Sequence, residues 1–170
     1  MLRAGKAEDM AGILTIYNDA ILHTTAVYTY TPFDAAYGQA WYKNKVAGNW
    51  PLLVDEEDGK IAGFATFGTF RDWPAYKYTI EHSIYVHPAY RKKGIASTLM
   101  QKLIELANAR GYATLVAGID ADNDASIALH EKLGFKKVGE IRKAGYKFKH
   151  WLNLAFYQLD LKGPNNPTEE

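Results

Sequence analysis

The chain has 170 residues, which fits one compact domain, and its 48% hydrophobic and 23% charged residues are typical of a globular protein. Its formal net charge of +1 argues against a nucleic-acid-binding protein, which normally carries a strong basic excess. Cysteine is absent, which excludes disulfides, thiolate nucleophiles and zinc–thiolate sites. Since no apolar run is long enough to span a bilayer and no signal-peptide core is visible, we expect a cytoplasmic protein without membrane contact.

The predicted elements begin with a strand and two helices. The segment "MLRA" predicts a short strand, and apolar residues then recur at helical spacing from Met10 to Ile21. A second helix is predicted to start at a Thr31 cap, with Pro32 in its first turn and Asp34 as an acidic partner, and to run to about Ala47.

The rest of the chain alternates strands with helices. "PLLVDEEDGKIAGFATF" predicts two strands joined at Asp58-Gly59, and "YKYTIEHSIYV" predicts a third. A helix that ends at Gly111 follows, then the strand "ATLVAGI" and a short helix between Asn123 and Gly134. "FKKVGEIRK" and "WLNLAFYQLDL" predict the last strands. We therefore expect one α/β domain over residues 1–162, around one mixed sheet, and a polar, disordered tail over residues 163–170.

Three consecutive cations, Arg91, Lys92 and Lys93, precede the helix that starts at Gly94. Their position is unfavourable on its own, because the helix dipole already favours anions there. Gly94 lets the main chain approach a ligand closely, and neither a P-loop nor a dinucleotide fingerprint is present. The pattern indicates a pyrophosphate bound by backbone N–H groups, with a solvated basic turn as the alternative that this loop alone leaves open.

A second signal lies in "NDASIALHEKLGF", where Asn123, Ser126 and His130 share one helix face. The series R-x-x-G-x-A, N-x-x-S and L-G-F resembles the acetyl-CoA site of the GNAT N-acetyltransferase superfamily. Three longer stretches, "YTIEHSIYVHPAYRKKGIAS", "DADNDASIALHEKLGF" and "AGYKFKHWLNLAFYQLDL", resemble the phosphinothricin and methionine-sulfoximine acetyltransferases. The resemblance covers the chain to about Leu161.

The resemblance implies a single GNAT-type domain with a central mixed, mostly antiparallel sheet, flanked by helices, whose fourth and fifth strands splay apart. Acetyl-CoA is then the cosubstrate, and its pantetheine arm lies in the gap like an added strand. Three groups of coenzyme contacts are implied: Ile84, Tyr85 and Val86 along the acetyl and pantetheine arms; Arg91, Lys92, Lys93, Gly94, Ile95, Ala96 and Ser97 around the pyrophosphate; and Asn123 and Lys132 at the pantetheine region and an outer part of the coenzyme.

The resemblance places the catalytic carboxylate at Glu81, in "TIEHS". Strand alternation puts Glu81 on a polar face and His82 on an apolar face. We therefore expect His82 to be a core histidine bonded to the backbone and not a catalyst. Glu81 needs a raised pKa or a relaying water to act as a base; the alternative is a surface carboxylate. His130 stands where much of the superfamily has a tyrosine that protonates the thiolate. An imidazole can do that or help to deprotonate the amine, and simple packing against Phe135 is the alternative.

The acceptor is expected to be a small amine. In the family the segment "GTFRDWPAYKY" lines the acceptor pocket, and an amino-acid-like acceptor needs a cation for its carboxylate. The predicted substrate contacts are Arg71, Tyr76, Lys77 and Glu81. The alternatives are a GNAT enzyme for protein N-termini, lysine or polyamines, and a non-catalytic coenzyme-A-binding module.

Two further expectations concern metals and partners. The remaining histidines show no metal-ligand spacing, so no metal is predicted. The resembling enzymes are homodimers, and "YKFKHWLNLAFY" is rich in residue types that interfaces favour; burial of these aromatic residues in the core is the alternative.

Overall fold

Seven strands and four α-helices make up the computed structural model, which describes residues 1–170. The strands are β1 (Leu2–Ala4), β2 (Leu52–Glu57), β3 (Lys60–Thr69), β4 (Thr79–Val86), β5 (Thr114–Asp120), β6 (Lys136–Lys147) and β7 (His150–Asp160). The helices are α1 (Met10–His23), α2 (Ala35–Ala47), α3 (Ile95–Ala109) and α4 (Asp124–Lys132). No helix combines the length and apolar character needed to cross a membrane.

All seven strands belong to one sheet in the order β1-β2-β3-β4-β5-β7-β6. Every neighbouring pair is antiparallel except β4 and β5. Helix α3 buries Leu99, Met100 and Leu103 in the larger apolar core on one face, whereas α1 buries Ile13 and Ile16 in a smaller core on the other. The predicted α/β architecture with a mostly antiparallel sheet is therefore confirmed.

The two parallel strands diverge after a short contact. Residues Thr79–Glu81 of β4 pair with Thr114–Val116 of β5. Beyond that point β5 pairs only with β7, along the full stretch Thr114–Asp120. Residues 82–86 of β4 therefore have no strand partner on that side, and the predicted splay of the middle strands is confirmed.

The predicted turns and caps hold at several positions, but the second helix starts later than predicted. Its N-cap is Asp34, whose carboxylate accepts the Tyr37 N–H at 2.7 Å, and not Thr31. The reason is a tertiary contact: the side chain of Asn18 bonds to both the N–H and the carbonyl of Phe33, each at 2.8 Å. These bonds commit the Phe33 backbone to α1, so the helix begins after it.

Strand β6 also differs in detail from the prediction. Strand β6 continues through residues 145–147, beyond the predicted "FKKVGEIRK". Residues 163–170 form neither a helix nor a strand. The Thr168 N–H donates to the Tyr78 hydroxyl at 3.0 Å, which places the tail beside the loop before β4.

Candidate active site

A continuous cleft occupies the gap between β4 and β5. It consists of a cavity of about 180 Å³ around Glu81 and His130 and one of about 440 Å³ that reaches Val86, Arg91 and Ala96. The two share five lining residues, Ala26, Ile84, Tyr85, Asn123 and Ser126. The cleft therefore joins the predicted catalytic residues to the start of α3.

The β4 backbone supplies hydrogen-bonding groups to this gap. The His87 N–H donates to the Ala62 carbonyl at 2.8 Å, so odd-numbered residues of β4 direct their backbone groups towards β3. The N–H groups of Ile84 and Val86 consequently point away from β3, where β5 has diverged. A pantetheine arm, which carries two amides, fits beside such a free strand edge.

The start of α3 is suited to an anion. Its N-cap is Gly94, with a φ of 81° and no side-chain cap, and nothing lies within 4 Å of a Cβ placed there. The first N–H groups of the helix therefore have no side-chain acceptor, which favours binding of a phosphate. Ile95 packs in the core with 5% exposure, so only its backbone can face a ligand.

The predicted cations lie around this helix start, all exposed. The Arg91 guanidinium is 3.8 Å from the Asp19 carboxylate, and the Lys93 ammonium lies 5.0 Å from the centre of the Tyr90 ring. Both side chains stay exposed to solvent despite these contacts. Lys132 is exposed at the far end of α4 and lines neither cavity.

Asn123 joins the cleft to α4. Its side-chain oxygen accepts the Ser126 N–H at 3.1 Å, which confirms the predicted cap. Both residues line both cavities.

Glu81 extends from β4 towards β5. A Cβ on Gly118 would lie 3.1 Å from Glu81 Oε1, so the absence of a side chain on Gly118 leaves room for the carboxyl group. Burial raises the pKa of Glu81, and the positive charge of Arg71 partly opposes that shift. A glycine inside a strand signals such a close approach, which the sequence reasoning did not use at Gly118.

His130 is 2% exposed, and its two nitrogens both have partners. Nδ1 lies 2.6 Å from the Ser126 carbonyl oxygen, and Nε2 lies 3.0 Å from Nε2 of His82. Phe135 packs edge-on against the His130 ring, with centroids 5.0 Å apart. His130 therefore makes the packing contact that was the alternative to a catalytic role, and it also lines the cleft. Burial lowers the pKa of His130.

His82 is a buried histidine, as predicted, but the predicted hydrogen bond to the backbone is wrong, because its one hydrogen-bond partner is His130. Burial, together with the neighbouring His130, lowers the pKa of His82 to about 3. Its Nδ1 is buried without a hydrogen-bond partner.

The predicted acceptor residues on the loop before β4 do not line the cavity around Glu81. Arg71 lies against the Phe70 ring at 5.2 Å and influences Glu81 through its charge. Tyr76 packs edge-on against the same ring at 5.8 Å. The Lys77 ammonium donates to the Glu170 carbonyl oxygen at 2.7 Å.

A wall of the cleft that the sequence reasoning missed is the segment of residues 24–33, here called the strap. Ala26 lines both cavities, and the Thr25 hydroxyl donates to the Asp120 carboxylate. The buried Lys147 ammonium donates to three carbonyl oxygens, those of Ile21 at 2.6 Å and of Thr24 and Val27 at 2.8 Å. Nothing in the sequence distinguishes Lys147 from the lysines around it.

No group of three or more histidine, aspartate or glutamate side chains is placed to hold a metal ion.

Comparisons with known proteins agree with this geometry. Residues 13–135 match the acetyltransferase (GNAT) family. The chain is 42% identical over 160 residues to the L-methionine sulfoximine/L-methionine sulfone acetyltransferase of Salmonella typhimurium, covering 94% of both. It is 34% identical over 168 residues to the phosphinothricin N-acetyltransferase of Streptomyces viridochromogenes, covering 98% of this chain and 90% of that one.

A solved acetyltransferase from Salmonella typhimurium, with its cofactor acetyl-CoA, superposes with a TM-score of 0.95 at 40% identity, covering 99% of this chain and 97% of that one. The family match covers most of the chain. Strands β4 and β5 also separate where the coenzyme of that family is expected to enter. The chain therefore belongs to the GNAT family and is an acetyl-CoA-dependent acetyltransferase.

Proposed function

We propose that this enzyme acetylates the amino group of a small amino-acid-like acceptor of the methionine sulfoximine or phosphinothricin type, with Glu81 as the general base. The observation that carries the proposal is the position of the Glu81 carboxyl group, partly buried at the point where β4 and β5 separate. Burial raises its pKa, which makes it a stronger base than an exposed glutamate. The names of the relatives supply the acceptor class.

The free edge of β4 and the start of α3 support the proposed position of the coenzyme. The pantetheine arm would lie along Ile84, Tyr85 and Val86, beside Asn123, and the pyrophosphate would bind the N–H groups of residues 94–97. The exposed cations of residues 91–93 would neutralise the phosphates, and Lys132 would contact an outer part of the coenzyme.

The chemistry then follows from the residues of the cleft. The acceptor arrives as an ammonium and gives one proton to Glu81, and its free amine attacks the thioester carbon. The Val86 N–H, which points into the gap, stabilises the oxyanion that forms on the carbonyl oxygen. As the C–S bond breaks, the nitrogen loses its second proton and the thiolate gains one. The products are the amide, coenzyme A and one proton released to solvent.

His130 is proposed as the second catalytic residue. Because burial lowers its pKa, the imidazole is neutral at pH 7 and carries a lone pair. A neutral imidazole suits removal of a proton from the amine nitrogen better than donation to the thiolate, provided that its Nε2 is released from the contact with His82. This assigns His130 one of the two roles that the sequence left open.

Arg71, Tyr76 and Lys77 are proposed to bind the rest of the acceptor. The influence of Arg71 on Glu81 indicates that its charge lies near the base, where a substrate carboxylate would need it. A polyamine acceptor would favour acidic walls. The only carboxylates around the inner cavity are Glu81 and Asp120, and Asp120 already accepts the Thr25 hydroxyl.

The enzyme is proposed to act as a homodimer. Three aromatic side chains lie exposed at the β6–β7 hairpin: Tyr146, Phe148 and Trp151, at 48–56% exposure. Because they are not buried in the core, core packing does not account for their presence, and an interface would. Light scattering at micromolar concentration should give twice the monomer mass, and a monomer alone would contradict the dimer.

An acceptor panel tests the function. Release of the coenzyme A thiol should be fastest with methionine sulfoximine, methionine sulfone or phosphinothricin and much slower with simple alkylamines and polyamines. If calorimetry shows coenzyme A binding but no amine releases thiol, the protein is a coenzyme-binding module and not an enzyme of this kind.

A further inference from the structure

A third cavity, here called the edge cavity, lies at the β1 edge of the sheet. Its walls are β1, the end of α2, the start of β2 and one face of α3. Its volume of about 500 Å³ exceeds that of either cavity of the cleft, and it shares no lining residue with them. The reaction proposed above makes no use of this space.

The lining of the edge cavity combines apolar walls with charges of one sign. More than half of the lining residues are hydrophobic, and Leu52 and Leu53 at its base are each 7% exposed. The charged lining residues are all cations: Arg3, Lys45, Lys102 and Arg110. No aspartate or glutamate lines the cavity, so its charge is not balanced from within.

Two of the four cations are balanced by carboxylates outside the cavity. The Arg3 guanidinium lies 2.7 Å from the Asp9 carboxylate and 2.6 Å from that of Glu56. The Lys102 ammonium lies 2.9 Å from the Glu105 carboxylate. These two side chains therefore already have counter-ions.

The other two cations, Lys45 and Arg110, have no carboxylate within ion-pair distance. Both approach Phe67: the Lys45 ammonium donates to its carbonyl oxygen at 3.2 Å, and the Arg110 guanidinium lies 5.8 Å from the centre of its ring. Arg110 also donates to the Asn49 carbonyl oxygen at 2.5 Å. Carbonyl oxygens accept single hydrogen bonds but carry no net charge, so both cations lack a counter-ion.

Lys45 is held in this position at a cost. Its side chain is half-buried, and burial lowers the pKa of Lys45 to about 8. A cation that is withdrawn from water without a counter-ion is unfavourable, and an anion bound beside it would offset that cost.

We propose that the edge cavity is a second binding site, for a small carboxylate with an apolar body. The carboxylate would bind Lys45 and Arg110, and the apolar body would pack against Trp50, Leu53 and Leu106. The site is separate from the acetyl-transfer site, and the proposal does not depend on which amine is acetylated.

The lining also argues against other classes of ligand. A free amino acid would place its ammonium among four cations. Inorganic phosphate or sulfate would match the charge but would leave the apolar walls unfilled. Only an anion that carries an apolar body matches both features of the cavity.

Calorimetry with three ligands of equal chain length tests the class of ligand. Octanoate should bind the full-length protein with the same affinity whether or not coenzyme A is present at saturation. Octanol should bind about tenfold more weakly, and octylamine should not bind. Equal affinity for octanoate and octanol would overturn the proposal, and so would displacement of octanoate by coenzyme A.

Variants test the two cations. Lys45→Met keeps the apolar stem and should lower the affinity for octanoate about tenfold without changing that for octanol. The matched control is Lys43→Met, because Lys43 is exposed on the same helix and lies outside the cavity. Arg110→Gln, at an exposed position, should lower the octanoate affinity about threefold, and it decides the question if Lys45→Met does not fold. Unchanged affinity in Arg110→Gln and in a folded Lys45→Met would refute the site.

NMR tests the location without any substitution. The indole N–H signal of Trp50, which lines the edge cavity, should shift as octanoate is added. The indole signals of Trp73 and Trp151, which lie outside it, should stay in place. Shifts at Trp73 or Trp151 without one at Trp50 would place octanoate elsewhere on the protein and overturn the proposal.

Discussion

The proposed coenzyme half of the cleft and its proposed acceptor half are built in different ways. In the coenzyme half, the proposed contacts to pantetheine and pyrophosphate are main-chain groups of two neighbouring segments, residues 84–86 and 94–97. The acceptor half is made of side chains from distant segments: Ala26 of the strap, Glu81 of β4 and His130 of α4. Gly118 on β5 leaves room for the Glu81 carboxyl group. A main-chain site should tolerate many changes of side chain and few changes of backbone conformation, whereas the opposite should hold for a site of side chains.

This difference leads to different kinetic effects. Substitutions in the acceptor half should change kcat or the KM of the acceptor while acetyl-CoA binds normally. Apart from the cations of residues 91–93, whose loss should weaken phosphate binding, substitutions in the coenzyme half should affect acetyl-CoA binding only where they alter φ and ψ. Variants in each half therefore test whether the two halves differ in this way.

Glu81→Gln should have the largest effect. We expect kcat to fall about 10²- to 10³-fold, within the range of general-base catalysis, while affinity for acetyl-CoA stays the same. Burial raises the Glu81 pKa, so the wild-type rate should increase with pH through a midpoint above the free value of 4.5. The variant should lose that dependence, and its defect should shrink at high pH as free amine accumulates. A variant with full turnover near neutral pH would show that Glu81 is not the base.

Arg71→Ala should have the second-largest effect. Loss of one charge-assisted contact, about 1.5–3 kcal/mol, should raise the KM for methionine sulfoximine roughly ten- to hundredfold. A simple alkylamine, which has no carboxylate, should hardly respond. Arg71→Lys keeps the charge without the bidentate geometry and should give an intermediate KM. Equal losses for both amines would indicate that Arg71 supports the fold.

The same substitution should also affect the pH dependence. The charge of Arg71 holds the Glu81 pKa below the value that burial alone would give. In Arg71→Ala the midpoint of the rate increase should therefore move to higher pH. An unchanged midpoint would place the guanidinium too far from Glu81 to act on it.

Features that depend on residues adjacent in the chain could be predicted from the sequence. The Asp58-Gly59 hairpin and the Asn123 cap depend on residues that are adjacent in the chain, and both are confirmed, the hairpin with φ values of 49° and 74°. The strand–loop–helix of the coenzyme half is equally local. The splay of β4 and β5 was predicted from the family resemblance, because no residue pattern reports the distance between two strands.

The rest of the site depends on contacts between distant residues. His82 meets His130 across 48 residues, and Lys147 meets the strap across 120 residues or more. The start of α2 was predicted wrongly for the same reason, since Asn18 fixes Phe33 from another helix. Spacing along the chain carries no information about such pairs.

Gly94→Val tests the coenzyme half. Gly94 has a φ of 81°, and a β-branched residue such as valine pays about 1–3 kcal/mol to adopt that conformation. The cost is conformational, because the space around a Cβ at this position is open. The KM for acetyl-CoA should rise about tenfold while kcat at saturating acetyl-CoA changes little. Gly94→Asn, which adopts positive φ more readily, should lose less. Unchanged calorimetric affinity of Gly94→Val for coenzyme A would refute the assignment of this loop.

Lys147→Met should have the smallest effect, and it decides to which half the strap belongs. The substitution keeps the apolar stem but removes the ammonium that three strap and helix carbonyls share. The strap would remain attached through Thr25 to Asp120 and through the Tyr30 hydroxyl, which donates to the Tyr146 carbonyl at 2.6 Å. Its mean position should therefore change little, and we expect the acceptor KM to rise by about threefold, near 0.7 kcal/mol.

The control for this variant is Lys149→Met, two residues along the same hairpin, where the lysine is exposed and makes no side-chain hydrogen bond. It should leave both KM values unchanged. Because Ala26 lines the outer cavity as well as the inner one, the alternative outcome is informative. A rise in the KM for acetyl-CoA in Lys147→Met, with the acceptor KM unchanged, would assign the strap to the coenzyme half. In that case side chains would control both ends of the cleft, and the division between a main-chain half and a side-chain half would fail.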